Sequence, residues 1–261
     1  MTFQTIDDFA FDLPPVRVRL APGARSEVAE EVKRLGAARA LVLSTPQQKG
    51  QALETAEALG PLAASLYTCA AQHTPVDVTE DALELLKTAE ADCLVAVGGG
   101  STIGLGKALA YRTDLPQIAI PTTYAGSEAT PILGQTEGGV KTTLTDPKVR
   151  PETIIYDPEL VATLPPAMTV TSALNAMAHA VEALYARDRD PLSTALAAQG
   201  LDAFAQGLPK VVAAPGDLSA RAETLYGAWA CGAVLGQLGM ALHHKLCHTL
   251  GGATTLSLIH I

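Results

Sequence analysis

Two helix-spaced pairs of side chains hold most of the proton chemistry available to this chain. Asn175 and His179 stand four residues apart in Asn175-Ala-Met-Ala-His179, which places an amide and an imidazole on one helix face. His244 and His248 repeat that spacing with two imidazoles, and His243 lies beside them. A single histidine is more often structural than functional, but four of the six histidines fall in these two clusters. Imidazole titrates near neutrality and suits proton delivery. The same spacing suits zinc or iron, although neither a carboxylate nor a third well-placed ligand is evident.

A second kind of chemistry is written at Cys93-Leu-Val-Ala-Val97-Gly98-Gly99-Gly100-Ser101-Thr102-Ile103. An apolar strand that breaks into glycines and then a helix is a recipe for holding phosphate. Glycines let backbone N–H groups approach closely, and the helix start adds unpaired donors and a positive dipole end. Ser101 and Thr102 add hydroxyls. The pattern is neither G-x-G-x-x-G nor a Walker loop. Its bland alternative is a tight strand-to-helix turn with no ligand. The next apolar run ends in Pro121-Thr122-Thr123-Tyr124-Ala125-Gly126-Ser127-Glu128. Neighbouring parallel strands end on one edge, so both turns could face a single diphosphate.

The elements that must position these groups alternate. Strands are expected at 16–20, 40–43, near 66–67, at 93–97, 117–120 and 153–156, with helices between them of the length that covers a parallel sheet. After residue 158 the pattern reads as helices only, interrupted at Asp188-Arg-Asp-Pro191 and Ala214-Pro-Gly216. The expected organisation is an α/β dinucleotide-binding domain over 1–158 and an all-α domain over 159–261.

Bulk properties narrow the partners. Of 261 residues, 48% are hydrophobic and 17% charged, and the net charge is −9 without a basic run, which argues against nucleic acid. Cys69, Cys93, Cys231 and Cys247 lie far apart without a Cys-x-x-Cys pair, as expected of free thiols in a reducing cytoplasm. The N-terminus has neither a basic start nor an apolar core of signal-peptide type. Residues 224–242 carry no charge but contain Gly227, Gly232, Gly236 and Gly239, and a tightly packed core helix explains them as well as a membrane span does.

Together these motifs resemble the iron-containing (group III) alcohol dehydrogenases, and within them the maleylacetate reductase branch, from about Val16 to Gly252. The similarity is carried by residues 98–107, 121–131, 136–141, 175–182 and 243–252. It implies a nicotinamide cofactor, NADH or NADPH, in a cleft between the two halves, and a homodimer. Gly98, Gly99, Gly100, Ser101 and Thr102 would hold the diphosphate, with Thr122, Thr123 and Lys141 along the rest of the cofactor. Where the family commonly has an acid after the second strand this chain has Thr45, so discrimination against a 2′-phosphate should be weak. Metal-binding members have an aspartate at the position of Asn175, and a further histidine ligand lacks a clear match. A neutral amide is a poor partner for a divalent cation, so metal-free catalysis is expected.

The implied reaction is reduction of the conjugated double bond of maleylacetate, a small dicarboxylate, to 3-oxoadipate. His179, His244, His248 and Asn175 would stabilise the enolate and deliver the proton, while Lys245 and His243 would neutralise a substrate carboxylate. Two alternatives stay open: a metal-dependent alcohol or polyol dehydrogenase using His179 and His244, and a non-catalytic nucleotide-binding module. Family members continue for further helices, and Thr254-Thr-Leu-Ser-Leu-Ile-His-Ile261 resembles nothing in them, so the helical half is expected to be incomplete.

Overall fold

The computed structural model describes residues 15–239, together with Phe11 and Leu246. Its centre is a six-stranded sheet built from β1 (Arg17–Leu20), β2 (Ala40–Leu43), β3 (Ala63–Tyr67), β4 (Cys93–Gly98), β5 (Gln117–Pro121) and β8 (Thr153–Tyr156). The order across the sheet is β1-β8-β5-β4-β2-β3, and every pairing is parallel. The helices α1 (Val28–Arg34), α2 (Lys49–Leu59), α3 (Val76–Thr88) and α4 (Gly100–Thr113) alternate with these strands.

Alternation along each strand explains the two-faced burial. On β4, Leu94 and Ala96 enter one core with Leu41 and Leu43, whereas Cys93, Val95 and Val97 enter the other with Ala40 and Val42. A strand buried on both faces reads as one apolar run, which is why these short segments stand out in the sequence. The first core does not stop at the sheet: it continues into Phe204, Leu225, Ala228, Cys231 and Val234 of the helical half.

That half begins with the short α5 (Pro158–Val161) and continues through α6 (Pro166–Ala183), α7 (Pro191–Ala213) and α8 (Leu218–Leu235). Asp190 and Ser193 form a reciprocal capping box at the start of α7, and the Asp217 carboxylate accepts from Ser219 and Ala220 at the start of α8. Among the described residues no helix is long and apolar enough to cross a membrane. The charge-free stretch from Thr224 is instead packed on most sides, with Gly227 set against the Phe204 ring and the Gly200 carbonyl.

One pair of strands was not expected from the sequence. β6 (Ile132–Glu137) and β7 (Val140–Thr145) form an antiparallel hairpin whose two-residue turn is Gly138-Gly139. Glycine pairs favour such turns. β7 is polar and largely exposed, and β6 is half-buried with Leu133 alone in the core, so no apolar alternation marks the pair.

Candidate functional site

The chain runs from β2 outward to β3, returns to β4 on the other side of β2, and then proceeds through β5 towards the opposite edge. The strand order therefore reverses between β2 and β4, and a crevice at the carboxyl ends of such strands is where α/β sheets bind ligands. Gly98 is in register with Pro121, so the glycine turn and the threonine loop leave neighbouring strands side by side. The Thr122 N–H donates to the Gly98 carbonyl at 3.1 Å and fastens the two together.

The glycines are needed for this approach. A Cβ on Gly98 would lie 2.6 Å from Gln48 Oε1 and 2.8 Å from Thr102 Cβ, and one on Gly99 would lie 2.9 Å from Thr123 Cγ2. Gly100 opens α4 with nothing within 4 Å of such a position, which leaves the helix start accessible. Ser101 is half-buried in that first turn and Thr102 is buried. Thr102 Oγ1, and Ser44 Oγ at the end of β2, are buried hydroxyls without a hydrogen-bond partner among the described residues. Orphaned buried hydroxyls at a sheet's switch point call for a ligand's polar atoms. A dinucleotide fits there: glycine amides and the α4 terminus for its diphosphate, and hydroxyls at 44, 45, 102, 122 and 123 around it.

Gln48 was missed by sequence reasoning. It follows the β2 turn, its amide donates to Thr122 Oγ1, and its Oε1 accepts from Thr45 Oγ1 at 3.1 Å. One side chain thus links the ends of β2 and β5 beside Gly98 of β4. Nothing in the local sequence signals a glutamine that acts across 74 positions. Lys107 closes the 98–107 stretch, and the sequence alone assigns it no role. It is buried, and its ammonium donates to Ser127 O, Thr130 O, Thr130 Oγ1 and Ile132 O at 2.6–2.9 Å. A lone lysine within Ile103-Gly-Leu-Gly-Lys-Ala-Leu-Ala110 was the available signal.

Lys141 is exposed on β7, in register with Thr136. Among the described residues no hydrogen bond joins it to the glycine turn. The hairpin reaches the site through its other strand: Thr136 N–H donates to the Thr74 carbonyl at 3.2 Å, and Pro75 bridges Thr136. Thr74, buried at φ 49° after His73 at φ 65°, rests its hydroxyl on Gly104 of α4. Two successive non-glycine residues in the left-handed region are strained, and a β-branched one doubly so.

On the helical side, α6 presents Asn175 half-buried and His179 buried, one turn apart as expected. His243, His244, Lys245 and His248 lie outside the described residues, as does Cys247. Cys93 and Cys231 are buried free thiols and Cys69 is an exposed one. Among the described residues no three His, Cys, Asp or Glu side chains gather as a metal-holding group. Asn175 is a neutral amide, a poorer partner for a divalent cation than a carboxylate, and His244, the other candidate ligand beside His179, lies outside the described residues.

The helical half is seated on the threonine loop by direct backbone contact. Gly126, at φ 78°, meets Gly232 of α8 so closely that a Cβ on Gly232 would fall 2.8 Å from the Gly126 carbonyl carbon and 2.9 Å from its Cα. One turn on, a Cβ on Gly236 would lie 3.0 Å from the Ala129 carbonyl oxygen. Arg221, wholly buried on α8, donates to Tyr124 of that loop at 3.0 Å, to Thr169 of α6 at 2.9 Å and to the Pro215 carbonyl at 3.0 Å.

Such an edge, closed from one side by a helical bundle, places the chain among the dinucleotide-binding α/β enzymes. Residues 15–158 match the family described as iron-containing alcohol dehydrogenase, and residues 169–260 match the C-terminal part of the Fe-containing alcohol dehydrogenase family. The chain belongs to the iron-containing alcohol dehydrogenase family and with it to the oxidoreductases. It is 60% identical over 248 residues to a maleylacetate reductase of Rhizobium sp. (strain MTP-10005), covering 95% of this chain and 71% of that protein. It is 50% identical over 244 residues to one of Sphingobium indicum, covering 94% and 69%. The crystal structure of maleylacetate reductase from Agrobacterium tumefaciens superposes with a TM-score of 0.95 at 58% identity, covering 97% of this chain and 73% of that one.

Proposed function

We propose that this chain is a maleylacetate reductase polypeptide that uses NADH or NADPH without a metal ion. The observation that carries the reading is the junction of the Gly98–Thr102 turn with the Thr122–Thr123 loop, together with Asn175 on α6 one turn before His179, where a metal site would need a carboxylate. Similarity at 49–60% identity to several maleylacetate reductases supports it.

The bound cofactor would supply a hydride to the alkene carbon conjugated with the substrate's ketone. The glycine amides and the α4 terminus would hold its diphosphate, and Thr45, Thr122 and Thr123 would line its remainder, with Lys141, exposed on the hairpin, left to meet only its outer part. Negative charge then gathers on the ketone oxygen and requires hydrogen-bond donors in place beforehand. Asn175 offers an amide donor, and His179, His244 and His248 offer imidazoles, one of which returns a proton to carbon. Lys245 and His243 offset the substrate carboxylates, which a chain of net charge −9 must do locally.

Following oxidation of NADH and of NADPH by this chain with maleylacetate, with and without a chelator and with its metal content measured, tests the reading. Turnover that survives chelation supports it. Turnover lost on chelation and restored by iron or zinc supports a metal alcohol dehydrogenase instead. Cofactor binding with no oxidation identifies a non-catalytic nucleotide-binding module. Sedimentation of the same preparation tests the homodimer.

A further inference from the structure

We propose that Lys107 is the positioning residue of the dinucleotide site: its ammonium locks the Ser127–Ile132 segment to α4 and so fixes where Thr122 and Thr123 stand over the glycine turn. The proposal rests on the reading above that these threonines line a nicotinamide dinucleotide.

Lys107 lies seven residues after Gly100, two helical turns along the same face of α4. One end of that face is the phosphate turn, and the other end is this ammonium. All four of its acceptors belong to one short segment, Ser127 to Ile132. Thr130 Oγ1 is the hub of that segment, since it also donates to Ser127 O at 2.9 Å and accepts from the Ile132 N–H at 3.3 Å. The same segment receives α8, through the Gly236 contact with Ala129. Lys107 therefore holds a loop that touches both the cofactor edge and the helical half.

A stability argument alone does not account for it. Burying a charge is expensive, and a well-packed apolar side chain of similar volume serves stability as well or better. What an apolar side chain lacks is direction. Three N–H groups shared among four oxygens fix a backbone path that runs from a single 3-10 turn at Ser127–Ala129 into the start of β6 at Ile132.

The charged neighbours make the lock sensitive to protons. Burial pulls the Lys107 ammonium down to about 7, with Glu128 opposing the shift and Arg150 adding to it. Burial pushes the Glu128 carboxyl up, while the Tyr156 hydroxyl, donating to it at 2.7 Å, holds it down. Tyr156 itself is raised well above its usual value by burial and by Glu128, and Arg150 is lowered by burial. Below about 7 the three-donor ammonium is present. Above it a neutral amine turns a lone pair towards a ring of acceptors, and the segment loosens.

The test is NADH binding to the wild-type chain, Lys107→Met and Lys107→Arg, measured from roughly pH 6 to roughly pH 8.5, on either side of that titration. The wild-type Kd is expected to rise about tenfold as pH climbs through 7. Lys107→Arg, charged throughout, should show a flat profile. Lys107→Met should bind roughly tenfold more weakly than the wild type at pH 6, and no more weakly again at higher pH. A pH-independent wild-type Kd, or a folded Lys107→Met with wild-type affinity and profile, would overturn the proposal. If Lys107→Met does not fold, the arginine variant decides: loss of affinity above 7 in that variant also overturns it. A wild-type chain that binds neither NADH nor NADPH overturns the dinucleotide reading together with this one, whereas a flat wild-type profile overturns this one alone.

Discussion

Gly232→Ala adds one methyl group where two backbones already touch. Its Cβ would lie 2.8 Å from the Gly126 carbonyl carbon, about 0.6 Å short of the 3.4 Å at which ordinary contact begins, and the Gly126 carbonyl oxygen would be closer still. No flexible side chain is involved, so either α8 or the 124–128 loop must move. The loop is held in turn by Lys107 and by the Thr122–Gly98 hydrogen bond. Alanine in place of glycine favours a helix by about 1 kcal/mol, and overpacking a core costs roughly 1–3 kcal/mol. With backbone on both sides the upper part of that range applies, giving a net loss of about 1–2 kcal/mol. For a chain of this size that is a fall of about 2–8 °C in Tm. The informative comparison is Gly227→Ala on the same helix, which would meet the Phe204 ring of α7 at 2.9 Å rather than the backbone of the 124–128 loop. Thermal unfolding and NADH titration of both variants should show destabilisation in each, with weakened NADH binding in Gly232→Ala alone. A Gly232→Ala chain as stable as the wild type, or one that is less stable but binds NADH equally well, would refute the idea that α8 sets the loop.

Two further outcomes follow from the same contacts. Thr45→Asp places a carboxylate at the end of β2, where a 2′-phosphate would lie, and should lower NADPH affinity relative to NADH by about tenfold, roughly 1.4 kcal/mol of repulsion. Paired titrations check this, and an unchanged ratio would show that the adenosine ribose lies elsewhere. Arg221→Met leaves Tyr124 Oη, Thr169 Oγ1 and the Pro215 carbonyl without their buried donor, and should cost about 3 kcal/mol in urea unfolding. A change below about 1 kcal/mol would mean that the two halves are joined by apolar packing alone.

The residues that sequence reasoning found and those it missed differ in how far their contacts reach. Ala40–Leu43 and Thr153–Tyr156 are legible because a strand covered on both faces must be apolar throughout. Gly98 to Thr102 is legible because a turn, a helix start and their donors lie within five residues. The β6–β7 hairpin is not legible in this way, since β7 is mostly solvated, β6 is only half-buried, and the glycine pair is the remaining signal. Gln48, Lys107 and Arg221 act across 74, about 20 and 97 positions respectively, and a polar side chain on a helix reads as solvent-facing unless its partner is known. The Asn175–His179 spacing was read correctly from helix geometry. Its chemistry depends on residues after Met240, where local spacing is again the only guide.

The missed residues bear on the same loop. Gln48 holds Thr122 from the β2 side, Lys107 holds Ser127 to Ile132 from α4, and Arg221 holds Tyr124 from α8. A loop of residues 122–132 with little regular structure is therefore constrained from three directions by side chains and from a fourth by the Gly232 backbone. Pre-organisation of this kind matters for hydride transfer, because a cofactor misplaced by an ångström loses much of the benefit of being bound near its substrate. The constraint also reaches the helical half. Arg221 and the Gly126–Gly232 contact are on α8, which packs against α6, the bearer of Asn175 and His179. A change in the loop's path is thus passed to the groups expected to handle the proton, and variants at Gly232 or Lys107 should alter kcat as well as cofactor affinity.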